Sequence, residues 1–95
     1  MAITVGLLQL RLNIVQADSL KDKRRAVKSF KDRLRSRHNV SVAEVDDLDA
    51  HRWSVVAVAM VGNDRRYLEG ALQDIVTAAE RHRDMILADW QVEWL

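Results

Sequence analysis

The chain has 95 residues, 48% of them hydrophobic, and a formal net charge of +1, enough for one core but not for two, so residues 1–95 are expected to form a single domain. It contains no cysteine, which excludes disulfides, thiolate metal sites, iron–sulfur clusters and cysteine nucleophiles. Proline is absent and glycine occurs three times, leaving no linker, low-complexity tract or glycine-rich phosphate loop.

The opening residues lack the basic start and long apolar run of a signal peptide, and no apolar run approaches the ~18 residues of a membrane span. A soluble, cytoplasmic protein is therefore expected. From Leu8 the pattern alternates: Leu8, Leu10, Leu12 and Ile14 face one way, Gln9, Arg11 and Asn13 the other, which is the period of a half-buried strand. Ile3, Val5 and Leu7 lie on the opposite register, so either a bulge shifts the face or both faces are apolar there.

Ser19 opens a helix, because Ser19-Leu20-Lys21-Asp22 has the spacing of a capping box, with the shorter Asp where Glu is commoner. Leu20, Val27, Phe30 and Leu34, flanked by Ala26, fall in one arc of the helical wheel, and the helix should end between Arg37 and Asn39. Nine of the seventeen residues from Lys21 to Arg37 are basic against only Asp22 and Asp32. Acid follows at once, with Glu44, Asp46, Asp47 and Asp49 crowded together.

Val40, Val42 and Val45 suggest a second strand running into that acidic turn, and Arg52 to Val61 reads as a third, rich in Val and Ala. Gly62-Asn63-Asp64 ends the strand and caps a second amphipathic helix over roughly Asp64 to Arg83, on the spacing of Leu68, Leu72, Ile75 and Ala79. Ile86, Ala88, Trp90, Val92 and Trp94 alternate with Leu87, Asp89, Gln91 and Glu93, so a fourth strand closes the chain. The order β-α-β-β-α-β predicts an α+β, ferredoxin-like βαββαβ sandwich: a four-stranded antiparallel sheet of order 4-1-3-2 with both helices on one face.

The run Ser19-Leu20-Lys21-Asp22-Lys23-Arg24-Arg25, continuing through Leu34-Arg35 to Asn39-Val40-Ser41-Val42-Ala43-Glu44-Val45-Asp46, closely resembles the signature of the YlxP-like family of small bacterial proteins. Gly62-Asn63-Asp64-Arg65-Arg66 is similar to its weaker second motif. The resemblance implies a domain of unknown function with a ferredoxin-like fold. It also implies a link to translation, because genes of that family often neighbour the gene of ribosome-binding factor A. It brings no catalytic residues.

On the wheel Lys21, Arg24, Arg25, Lys28, Lys31 and Arg35 form one cationic ridge within about a third of the circumference. Such a ridge suits phosphate, through counterion release and bidentate guanidinium contacts; a solvated, solubilising face or an acidic protein partner would use the same residues. Lys23 joins these basic residues as a candidate nucleic-acid contact but sits inside the apolar stripe, so either it snorkels past the sheet edge or a carboxylate such as Glu44 or Asp46 holds its ammonium and presents it in a pocket.

Strands one and three lack the aromatic run on which RNA-recognition motifs stack bases, only Trp53 standing at one end. Strand three is instead apolar on both faces, which favours homodimerisation, sheet to sheet or edge to edge, the alternative being a central strand partly shielded by long side chains. Trp90 and Trp94 share a face with Val92 and are expected to pack. His38, His51 and His82 lack ligand spacing, and a charged loop explains Asp46, Asp47 and Asp49 better than a hard cation does. No nucleophile or paired-carboxylate arrangement emerges. The expectation is a non-catalytic protein without metal or cofactor that binds RNA or a ribosomal particle; the alternative is a homo-oligomeric protein-interaction or regulatory module.

Overall fold

The computed structural model describes residues 2–95. The alternation read from Leu8 becomes strand β1, Thr4–Asn13, in which Leu8, Leu10 and Leu12 are fully buried and the residues between them are not. Three further strands, β2 (Ser41–Asp46), β3 (Trp53–Gly62) and β4 (Ile86–Trp94), join it in one sheet of order β2-β3-β1-β4, with every neighbouring pair antiparallel. This is the ferredoxin-like α+β arrangement expected from the element order.

The pairing of β1 with β3 runs unbroken from Thr4 opposite Gly62 to Asn13 opposite Trp53. No bulge shifts the face at the start of β1, so both faces are apolar there: Val5 and Leu7 lie half-buried on the side away from the core. The irregularities sit on the edge strands instead. The partner of Arg11 is Asp89 and that of Leu12 is Leu87, which leaves Ala88 as the extra residue of β4, and Val45 is skipped in the same way between Glu44 and Asp46.

Helix α1 spans Leu20–Arg37. Ser19 caps it by accepting from the Asp22 N–H at 3.1 Å, but the short Asp22 carboxylate takes the Asp18 N–H at 3.3 Å, not that of the cap residue. Val27, Phe30 and Leu34 are buried on the sheet. Helix α2 spans Arg65–Glu80, shorter than its apolar spacing suggests, because Arg81 and His82 close its last turn onto Thr77 and Ala79. Asp64 caps it by accepting from the N–H groups of Arg66 and Tyr67.

Leu72 and Ile75 of α2 share one core cluster with Leu8, Leu10, Val56 and Val58 of the sheet and with Phe30 and Leu34 of α1. Each fully buried apolar side chain contributes about 1.5–3 kcal/mol. Among the described residues, the opposite sheet face carries no helix. There Ala57 and Ala59 are half-buried and Val61 is 57% exposed, beside a Gln9–Gln91 hydrogen bond of 2.7 Å and the Arg11 guanidinium 4.2 Å from the Trp53 ring centre.

Candidate functional site

The rotation of α1 that buries Val27, Phe30 and Leu34 turns the neighbouring third of the helix outward. Lys21, Arg24, Arg25, Lys28 and Arg35 are exposed and Lys31 is half-exposed. From Lys21 to Arg35 the ridge runs about 21 Å, long enough to follow several consecutive phosphates. One acid lies inside it: Asp32 pairs with Lys28 at 2.7 Å and with Arg35 at 3.5 Å. The Lys28 hydrogen bond, aided by the charges of Lys28, Arg35 and Lys31, holds the Asp32 carboxyl below its ordinary range. Arg35 also donates to the Val42 carbonyl at 2.7 Å, tying the ridge to edge strand β2. Lys21, Arg24, Arg25 and Lys31 form no ion pair among the described residues.

The acidic block forms no ion pair with this ridge among the described residues. Its Glu44 is engaged elsewhere, and Asp46 accepts from the Asp47 N–H at 2.8 Å within its own turn. No ion pair joins Asp46, Asp47 or Asp49 to α1 among the described residues.

Lys23 departs from its expected place among the phosphate contacts. Its side chain is 0% exposed, and its ammonium donates to Glu44 Oε2 at 2.7 Å, to the Asp47 carbonyl at 2.9 Å and to the Leu48 carbonyl at 3.2 Å. Three donors thus meet three acceptors, so Lys23 neither snorkels nor reaches a ligand. The carboxylate of Glu44 in turn accepts from Ser54 Oγ at 2.6 Å, and Ser54 is fully buried. A buried ion pair is tolerated when every polar group in it is satisfied, and no buried side-chain polar atom lacks a partner among the described residues.

This cluster fastens three segments together. Asp47 takes a left-handed backbone, φ 58°, which Asp adopts more readily than most residues. Its carbonyl and that of Leu48 face inward to the ammonium. Alongside, Arg52 donates to the Ala17 carbonyl at 3.0 Å and the Ile14 N–H donates to the Arg52 carbonyl at 2.7 Å. The β2–β3 hairpin is thereby clamped to the β1–α1 connection and to the first turn of α1. Ser54 and the two carbonyls escaped the sequence reading, since nothing in a residue's identity reveals where its backbone oxygen will point.

The remaining candidates take structural places. His82 meets Phe30 edge to face, ring centres 5.9 Å apart, and burial pushes its pKa below the ordinary 6.5. Among the described residues no group of three or more His, Asp or Glu side chains could hold a metal ion. The Arg65 guanidinium lies 4.6 Å from the Trp94 ring centre and pairs with Glu69 at 3.1 Å, so the first arginine of the second motif is committed within the domain, whereas Arg66 makes no ion pair among the described residues.

A family model described as "Protein of unknown function (DUF503)" matches residues 5–92. The "Uncharacterized protein YlxP" of Bacillus subtilis (strain 168) is 26% identical over 90 residues, which cover 95% of this chain and 98% of that protein. A de novo designed protein, Foldit4, is similar in structure, with a TM-score of 0.56 over 98% of this chain and 96% of the designed one; at 16% identity the likeness is one of fold alone. Among the described residues no helix is long and apolar enough to cross a membrane.

Proposed function

Because this chain belongs to the DUF503 family, we propose for it a non-catalytic, cytoplasmic role in binding structured RNA or a ribosomal particle through the outer face of α1. The observation that carries this reading is the division of the cations on that helix. Lys23 is locked inside the domain, while Lys21, Arg24, Arg25 and Lys31 form no ion pair among the described residues and so remain available to phosphate oxygens. The resemblance carried by the Ser19–Arg25 motif supports a place in translation or ribosome maturation. Affinity comes mainly from counterion release. Filter binding to ribosomal RNA fragments at rising salt tests this: a log–log slope of several units is expected, and Arg25→Glu with Lys28→Glu should flatten it. Weak binding at low salt that is unchanged in the double variant refutes the reading.

The bare sheet face favours a second element, a homodimer packed sheet to sheet with the two α1 ridges outward. Ala57 and Ala59 at the middle of the face allow close approach. Pairing through the β4 edge, with the dyad at Gln91, would set Asp89 against Glu93 of the second copy, a like-charge pair that disfavours it. Sedimentation equilibrium that returns a monomer at tens of micromolar refutes the dimer and leaves the RNA reading standing.

A further inference from the structure

The C-terminal end of α1 and the first three turns of α2 leave a groove of about 470 Å³ between them, whose lining includes Arg37, His38, Arg66, Tyr67, Gly70 and Asp74. We propose that this groove holds one unpaired nucleotide of an RNA strand, its phosphate between Arg37 and Arg66 and its base over Gly70 beside Tyr67. The inference rests on the RNA reading above and adds to it a subsite on a different flank of the helix layer.

Gly70 carries the argument. Glycine inside a helix is unfavourable relative to alanine, and here packing does not call for it: a Cβ placed on Gly70 meets no atom within 4 Å. What the missing side chain does is keep the groove floor open. Arg66, Gly70 and Asp74 are spaced four residues apart and so share one face of α2, with the cation and the carboxylate about 12 Å apart along the axis and the glycine midway. That puts an anion site at one end and an acceptor at the other.

The lining supplies the rest of the chemistry. Tyr67 is 71% exposed, an aromatic ring presented to solvent where a core role would have hidden it, and such rings stack on unpaired bases. Arg37 and Arg66 form no ion pair among the described residues, which leaves both forks for phosphate. Asp74 accepts hydrogen bonds only, so it selects a base with donors on its Watson–Crick edge. Guanine, with an imino and an amino donor, fits first.

Fluorescence anisotropy with a 5′-labelled UUGGUU single strand and a labelled blunt RNA duplex tests the proposal. Tyr67→Ala and Gly70→Leu alter exposed positions and should fold as the parent does, checked by circular dichroism. Each is expected to weaken the single strand about tenfold and the duplex less than twofold, whereas Arg25→Glu with Lys28→Glu should weaken both probes. Single-strand affinity unchanged in both groove variants overturns the groove and leaves the ridge reading intact. Failure of the parent to bind either probe overturns both. Competition by free guanosine monophosphate as effective as by UUGGUU assigns the groove to a free nucleotide and overturns the assignment to an RNA strand.

Discussion

Lys23 and Arg24 are adjacent on α1, yet the first has no exposed side-chain surface and bonds to Glu44, Asp47 and Leu48, while the second stands in solvent without an ion partner among the described residues. One residue of helical rotation, about 100°, separates a cation the fold depends on from a cation the fold can do without. The teaching is that a basic helix is not one surface. Where the ammonium loses all its water, its energy is bound up with the groups that replaced that water; where it keeps the water, its interactions are weak within the chain and open to partners outside it.

The largest test of that contrast removes the buried charge. Lys23→Met leaves the Glu44 carboxylate, 12% exposed, beside an apolar chain and strips two inward carbonyls of their donor. A loss of about 3–5 kcal/mol is expected in urea denaturation. Lys23→Met combined with Glu44→Leu removes both charges and should recover a large part of it. A loss below about 1 kcal/mol for the single variant would show that water replaces the ammonium at the hairpin and would erase the distinction between the two regions.

Charge reversal on the ridge comes next and should do the opposite. Arg25→Glu with Lys28→Glu is expected to keep unfolding free energy within about 1 kcal/mol of the parent, the usual range for two exposed positions, while RNA affinity falls at least tenfold at low salt. Equal damage to folding would make the ridge structural too.

Asp32→Asn sharpens the comparison from inside the ridge, since it releases Lys28 and Arg35 from the carboxylate they share. RNA affinity should rise severalfold at low ionic strength, and the gain should fade as salt screens it. An unchanged affinity would show that these two cations lie outside the contact.

The smallest effect concerns His82. Burial, chiefly, keeps its folded pKa below 6.5, Asp84 opposing and Arg33 and Arg83 adding to the shift. The unfolded chain therefore takes up this proton first. The contribution of His82 to stability is complete above about pH 6.5 and is lost as pH falls from there through the folded value. Thermal midpoints of the parent should drop across that window and those of His82→Gln should drop less. A parent midpoint that rises on acidification would contradict this.

The first strand and both helices were legible in the residues because each announces its period, two for Leu8 to Ile14, three to four for Val27 to Leu34 and Leu68 to Ala79, whereas the third strand was legible from its run of Val and Ala. The misplacement of Lys23 was legible as well, as a cation within the apolar arc, and Glu44 was one of its two named partners. What could not be read is the company they keep. The inward carbonyls depend on the left-handed turn at Asp47, and Ser54 reads as one polar residue in an otherwise apolar strand. The groove was hidden for a related reason. Arg37 and Arg66 are 29 positions apart in sequence, and no local pattern says that the end of α1 faces the start of α2.

The bond between Lys23 and Glu44 also constrains how a sequence like this can drift. Loss of either partner alone strands a buried charge, so a lineage could abandon the pair only by a double replacement or after gaining stability elsewhere. Positions 23 and 44 are therefore expected to change together across the family or not at all, whereas Arg24 and its outward neighbours can be exchanged one at a time among residues of like charge.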